Sequence, residues 1–193
     1  MKSVCVFCGS CSGSKAIYRE TATAMGQAIA KRGMRLIYGA GNVGLMGIVA
    51  DAAIKAGGEV IGVIPKFLVD KEVAHFGLTE MIIVNSMHER KARMADLADA
   101  FVALPGGFGT FEELCEVLTW SQLGLHNKPC GILNVAGYYD PLLALFDQAV
   151  AEQFLRCEYR SLVVSATDVD QMLKELESYR HENLQKWMDR DKI

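Results

Sequence analysis

Along this chain, short runs rich in β-branched and aromatic residues alternate with longer stretches whose apolar positions recur at spacings of three and four. The runs are SVCVFCG, MRLIYG, EVIGVIP, EMIIVN, AFVALPG, PCGILNV and SLVVSA, and the helical periods fall over residues 15–32, 44–56, 87–98, 111–123, 141–153 and 169–179. In the first helical stretch Tyr18, Ala22, Met25 and Ile29 form one apolar face, and Gly33 supplies a left-handed stop. Most of the runs are apolar on both faces, as a parallel sheet covered by helices on both sides requires. The alternation predicts an α/β fold: a doubly wound parallel sheet of about seven strands in a single domain over residues 1–180. Right-handed crossovers would put the strand carboxyl ends on one edge, where ligands bind. A long irregular connection is expected over residues 65–78, containing Lys66, Asp70, Lys71, Glu72 and His75, and a loop of that length is often part of a site. Residues 181–193, polar around Trp187, read as a C-terminal extension or frayed tail.

Composition narrows the function classes. The 193 residues suit one well-packed domain, and 51% hydrophobic with 22% charged residues suits a globular chain with a large buried sheet. Twenty basic against twenty-three acidic residues leave a net charge of -3, so no global field attracts nucleic acid or anionic lipid, and any anion site must be local. The longest charge-free stretch, residues 36–50, is too short to span a bilayer and holds Gly39, Gly41, Gly44 and Gly47; no membrane segment is expected. The start, MKSVCVF, is too short an apolar run for a secretory signal, which leaves the cytoplasm as the default location. Cys5, Cys8 and Cys11 are spaced three apart, but an iron–sulfur site would need a fourth ligand followed by Pro, and Cys115, Cys130 and Cys157 are scattered. They read as buried strand and loop thiols in reduced form, with no metal.

Three loops carry candidate chemistry. YGAGNVGLMG holds a G-x-G-x-x-G at Gly39, Gly41 and Gly44. It follows the second strand rather than the first, and Glu59 stands at the start of the next strand, the wrong edge for a ribose carboxylate. These glycines allow close backbone approach, either to a ligand or to a neighbouring helix. In SMHERKARM, Ser86 and Glu89 have capping-box spacing, which places Arg90, Lys91 and Arg93 in the first two helical turns. Cations there oppose the helix dipole by about 0.3–1 kcal/mol each. An anionic partner would explain the cluster; the alternative is a solvated basic face bridged to Glu89 or Asp96. In ALPGGFGTFEEL, Thr110 and Glu113 again have capping-box spacing and Glu112 favours the dipole, so these acids could be purely structural. Capping, however, does not need Gly106, Gly107 and Gly109. They strip side chains from the turn and let backbone N–H groups converge on an anion, and a carboxylate one turn on could reach a sugar attached to it.

PGGFGTFEE fits the pattern P-G-G-x-G-T-x-x-E. Together with YGAGNVGLMG, SMHERKARM and TWSQLGLHNKPCGILNVAGYYDPLL it makes the chain, from about residue 4 to 164, closely resemble the Lonely Guy (LOG) family of nucleoside 5'-monophosphate phosphoribohydrolases. Members have often carried a lysine decarboxylase label. The resemblance implies a Rossmann-like fold, a homodimer or higher homo-oligomer, no cofactor, and hydrolysis of the N-glycosidic bond in AMP or its N6-prenylated (cytokinin riboside 5'-monophosphate) forms, releasing free base and ribose 5-phosphate. Carried over by residue, it makes Arg90 and Glu113 the catalytic pair. Glu72, Lys91, Gly107, Phe108, Gly109, Thr110, Phe111, Glu112 and Thr119 match positions that contact nucleotide, and Gly41 and Gly44 are counted with them. The family's triple glycine after the second strand reads Gly39, Ala40, Gly41 here, harmless if Ala40 keeps an ordinary backbone conformation. Two rival readings are a pyridoxal-phosphate lysine decarboxylase, for which no lysine is singled out, and a non-catalytic nucleotide or molybdenum-cofactor binder, in which Glu113 would be only a cap.

Overall fold

Strand order follows from which crossovers are used. In the computed structural model, which describes residues 1–69 and 74–180, seven parallel strands run in the order β4-β3-β2-β1-β5-β6-β7. They are β1 (Ser3–Phe7), β2 (Arg35–Tyr38), β3 (Val60–Pro65), β4 (Glu80–Val84), β5 (Ala100–Ala103), β6 (Cys130–Leu133) and β7 (Val163–Ala166). The connecting helices are α1 (Ala16–Lys31), α2 (Gly44–Lys55), α3 (Lys66–Val69), α4 (Met87–Leu97), α5 (Phe108–Gln122), α6 (Asp140–Ala151), α7 (Cys157–Arg160) and α8 (Val169–Ser178). The chain winds outward from β1 in one direction and from β5 in the other, so the crevice of this doubly wound sheet lies between those two strands. Phe7 pairs with Ala103, which brings the loops that leave β1 and β5 side by side.

Alternation within β1 shows why both faces are apolar. Val4 and Val6 join a cluster with Tyr18, Ala22, Met25 and Ile29 of α1 and with α2 and α8; Cys5 and Phe7 join the opposite cluster, with Met94 of α4 and Val117 of α5. The face expected on α1 is therefore the buried one. Gly26 lets α2 come close, because a Cβ there would lie 2.2 Å from the Val49 carbonyl oxygen. Gly33 ends the α1 connection at φ +66, as a left-handed stop does.

Three local expectations change. Helix α5 begins at Phe108 with Gly107 as its N-cap, not at residue 111, so Thr110 sits inside the first turn and forms no capping box with Glu113. The N-terminus can start early because the first-turn N–H groups have no intrahelical acceptor whatever residues carry them. Ala40 has φ +59, a left-handed conformation rather than an ordinary one, held by the His75 N–H donating to its carbonyl at 3.1 Å and by the bridge between Gly41 and Ala74. Such a conformation costs a non-glycine residue about 1–2 kcal/mol. Finally, the connection after β3 opens with the single turn of α3. Asp70, Lys71 and Glu72, like the extension over residues 181–193, lie outside the described residues.

Candidate active site

At the crevice between β1 and β5 a cavity of about 220 Å³ is floored by Val6, Phe7 and Cys8 and walled by Gly9, Ser10, Gly39 and Met46. Arg90 and Met94 of α4 and Gly107, Phe108, Gly109, Thr110 and Glu113 of α5 close the other side. Six of the expected positions thus meet in one place: Arg90, Glu113, Gly107, Phe108, Gly109 and Thr110. Gly41, Gly44, Lys91, Phe111, Glu112 and Thr119 do not line it, and Glu72 is outside the described residues.

Arg90 belongs to the buried face of α4, with Met94 and Ala95, and is 6% exposed. The capping interaction expected at Ser86 is present, the Glu89 N–H donating to Ser86 Oγ at 3.1 Å, and it fixes the turn from which Arg90 projects. Arg90 Nε donates to the Val63 carbonyl at 3.1 Å, Nη2 to the Gly39 carbonyl at 2.8 Å, and Nη1 approaches Met87 Sδ at 3.7 Å. A guanidinium has five N–H donors, so among the described residues two remain beyond these contacts. The solvated basic face is thereby ruled out for this residue. Gly39 is what admits it, since a Cβ there would lie 1.8 Å from Nη2. Gly44 has φ +59, and a Cβ on it would stand 2.2 Å from the Ser10 carbonyl carbon. These two glycines make room for neighbouring protein groups, Arg90 and the Ser10 backbone, that themselves line the cavity.

The turn after β5 is different. Gly106 is packed, with an added Cβ 2.1 Å from Thr110 Oγ1, but Gly107 and Gly109 face open space within 4 Å. Neither has a positive φ. A Cβ at either position would meet no positive-φ strain and, among the described residues, no atom within 4 Å, and at Gly109, inside the helix, glycine costs about 1 kcal/mol relative to alanine. What the two glycines leave is uncovered room over the first amides of α5, at the positive end of a fifteen-residue helix.

Glu113 stands one turn beyond. Burial pushes its carboxyl up to about 7, against the opposing pull of the Arg90 cation and with smaller contributions from Glu112, Lys91 and Glu116. A carboxyl with that value exchanges its proton near neutral pH, as acid–base groups do. Cys8 beside it is a neutral thiol, because burial and the Glu113 charge both raise its pKa. Lys91 turns to the outer side, where its ammonium binds Glu112 and lies 3.0 Å from Glu116, tying α4 to α5. Thr119 donates to the Cys115 carbonyl at 2.7 Å and lines a separate depression with Phe146 and Phe154.

The contribution of Cys8, Gly9 and Ser10 was not foreseen. The rule that ligands bind where strand order reverses would have pointed to CGSCSGS as the loop leaving β1, had its cysteines not drawn the reading toward thiol chemistry.

A family model described as "Possible lysine decarboxylase" matches residues 46–176. Cytokinin riboside 5'-monophosphate phosphoribohydrolase LOG5 of Arabidopsis thaliana is 49% identical over 94% of this chain and 80% of its own length. Cytokinin riboside 5'-monophosphate phosphoribohydrolase LOG of Oryza sativa subsp. japonica is 49% identical over 92% of the chain and 74% of its own. The chain belongs to the Lonely Guy (LOG) family. Among solved structures, the molybdenum cofactor carrier protein of Chlamydomonas reinhardtii superposes on this LOG chain with a TM-score of 0.71 at 23% identity, over 92% of this chain and 99% of that one. The molybdenum cofactor binding protein of Rippkaea orientalis gives 0.68 at 22%, over 92% and 97%. At that identity the likeness is one of fold. The decarboxylase description does not suit this LOG cavity: pyridoxal phosphate requires a lysine amine to bond to, and among the described residues no lysine lines it.

Proposed function

We propose that the chain hydrolyses the N-glycosidic bond of a nucleoside 5'-monophosphate, AMP or its N6-prenylated forms, releasing free base and ribose 5-phosphate. The observation that carries this reading is the pairing, in one cavity, of side-chain-free amides at Gly107 and Gly109 with the near-neutral carboxyl of Glu113. The amides would hold the 5'-phosphate. Ionised Glu113 would face the anomeric carbon, stabilise the cation that develops on the ribose ring, and take a proton from the attacking water. The new bond joins the water oxygen to that carbon, the carbon–nitrogen bond breaks, and the base leaves with the electron pair and gains a proton. Arg90 would clamp the substrate and offset negative charge with its remaining donors. Because phosphate binding orients the reacting carbon, nucleotides should be cleaved in preference to nucleosides.

The enzyme so proposed is cytoplasmic and a homodimer or higher homo-oligomer. Supporting the second part, α6 (DPLLALFDQAVA) is rich in apolar residues yet has none buried, with Leu145 61% and nearby Phe154 89% exposed. Incubating purified protein with AMP and N6-prenyl-AMP should yield free base and ribose 5-phosphate, and Glu113→Gln or Arg90→Ala should abolish it. Absence of turnover on every nucleotide, with tight binding of a pterin, would replace hydrolysis by a carrier function.

A further inference from the structure

Two consecutive tyrosines on the β6–α6 connection have no part in that chemistry, yet both reach back to the glycine turn. After β6, Ala136 at φ +50 and Gly137 at φ +72 bend the chain through successive left-handed residues. The bend is braced by Asn134, whose Oδ1 accepts from the Tyr139 N–H at 2.8 Å and whose Nδ2 donates to Asp140 Oδ1 at 2.6 Å. Tyr139, buried, donates its hydroxyl to the Leu104 carbonyl at 2.6 Å. Tyr138, partly exposed, donates to the Gly106 carbonyl. Between them the Gly9 N–H donates to the Pro105 carbonyl at 3.1 Å. Three successive carbonyls of the turn are thus each fixed by a donor from another loop.

In a planar trans peptide the carbonyl and the N–H point in opposite directions. Fixing the Gly106 oxygen on Tyr138 therefore fixes the direction of the Gly107 N–H, the first amide of the open turn. Glycine has the widest backbone freedom of any residue, and with glycine on both sides this peptide would otherwise be free to rotate. We infer that Tyr138 is a positioning residue for phosphate, acting through the Gly106–Gly107 peptide, whereas Tyr139 one residue on is structural. The inference rests on the phosphate site proposed above.

Tyr138→Phe keeps the ring and its edge contacts with Tyr18 and Tyr139 while removing the donor. The expected result is a rise of about tenfold in KM for AMP with kcat within about twofold, and an equal rise in the inhibition constant of ribose 5-phosphate. Inhibition by free adenine should be unchanged. Tyr139→Phe should do the reverse, lowering the thermal midpoint and leaving KM within about twofold. If ribose 5-phosphate inhibits wild type and Tyr138→Phe equally, or if both variants raise KM alike, or if adenine inhibition weakens in parallel, the positioning role is overturned. If ribose 5-phosphate fails to inhibit the wild type at all, the phosphate site itself is wrong.

Discussion

Gly39→Ala is a way to displace the Arg90 guanidinium while leaving the arginine itself in place. The added methyl would lie 1.8 Å from Arg90 Nη2, and a comfortable separation is about 3.5 Å, so the guanidinium must retreat by roughly 1.7 Å. Gly39 does not have a positive φ, so alanine is unstrained there and the effect comes from the collision with Arg90 and a milder contact with Met46 Cε at 3.0 Å. Retreat breaks the 2.8 Å bond to the Gly39 carbonyl. A bond from a charged donor contributes about 1.5–3 kcal/mol, which at about 2–4 °C per kcal/mol lowers the thermal midpoint by about 3–12 °C and leaves the chain folded. Displacing a clamping group by more than 1 Å is expected to cost about 100-fold in kcat/KM, equivalent to about 2.7 kcal/mol of barrier. The assay is release of free base from AMP, run beside calorimetry on the same samples. A second measurement isolates the cause: in an Arg90→Ala background, already without turnover, the methyl meets only the flexible end of Met46, whose Cε would lie 3.0 Å away, so adding Gly39→Ala should leave the midpoint unchanged. Activity within about threefold of wild type in the single variant, or a further undiminished fall in midpoint in the double variant, would refute the idea that Gly39 exists to seat Arg90.

Because burial holds the Glu113 carboxyl near 7 and its ionised form does the work, kcat/KM should rise with pH through about 7, which a pH–rate profile checks. The same burial costs stability: with a folded value of about 7 above the ordinary 4.5, the folded chain holds more protons than the unfolded one between those values, so stability falls as pH rises across that window. Glu113→Gln should remove a penalty of about 2–3 kcal/mol at pH 8 and melt several degrees above wild type there, with no difference at pH 4; an equal gap at both pH values would contradict it. At the end of α6, exposed Gln153 has φ +62, so Gln153→Gly should raise unfolding free energy by about 0.5–1 kcal/mol in urea titration, and a loss would show that its side chain contributes more than its strain costs.

The fold was readable because each strand is short, apolar on both sides and followed by a helix with one apolar face, so period alone separated the elements. Their order in the sheet is set by pairings between distant segments, which no local window reports. The start of α5 was misplaced for a related reason: Thr110 and Glu113 imitate a capping pair, whereas the actual N-cap, Gly107, has no side chain to announce itself. Arg90 is the more instructive case. Its motif drew attention as one of three cations, and the cluster turns out to be three unlike residues: Lys91 bonded to acids on α5, Arg93 exposed, and Arg90 buried under the sheet edge. The sequence did distinguish them. Arg90 lies three positions after Met87, four before Met94 and seven before Leu97, the spacing of a single helical face, so a cation occupies the place where that stripe calls for an apolar residue. Burying a charge costs stability when, as for Arg90 among the described residues, no carboxylate is within ion-pair distance and the nearby Glu113 is itself held near neutrality, and packing alone would not select it. A basic residue in register with an apolar stripe is therefore better evidence for an anionic ligand than a run of basic residues, because solvation can explain the run but not the register.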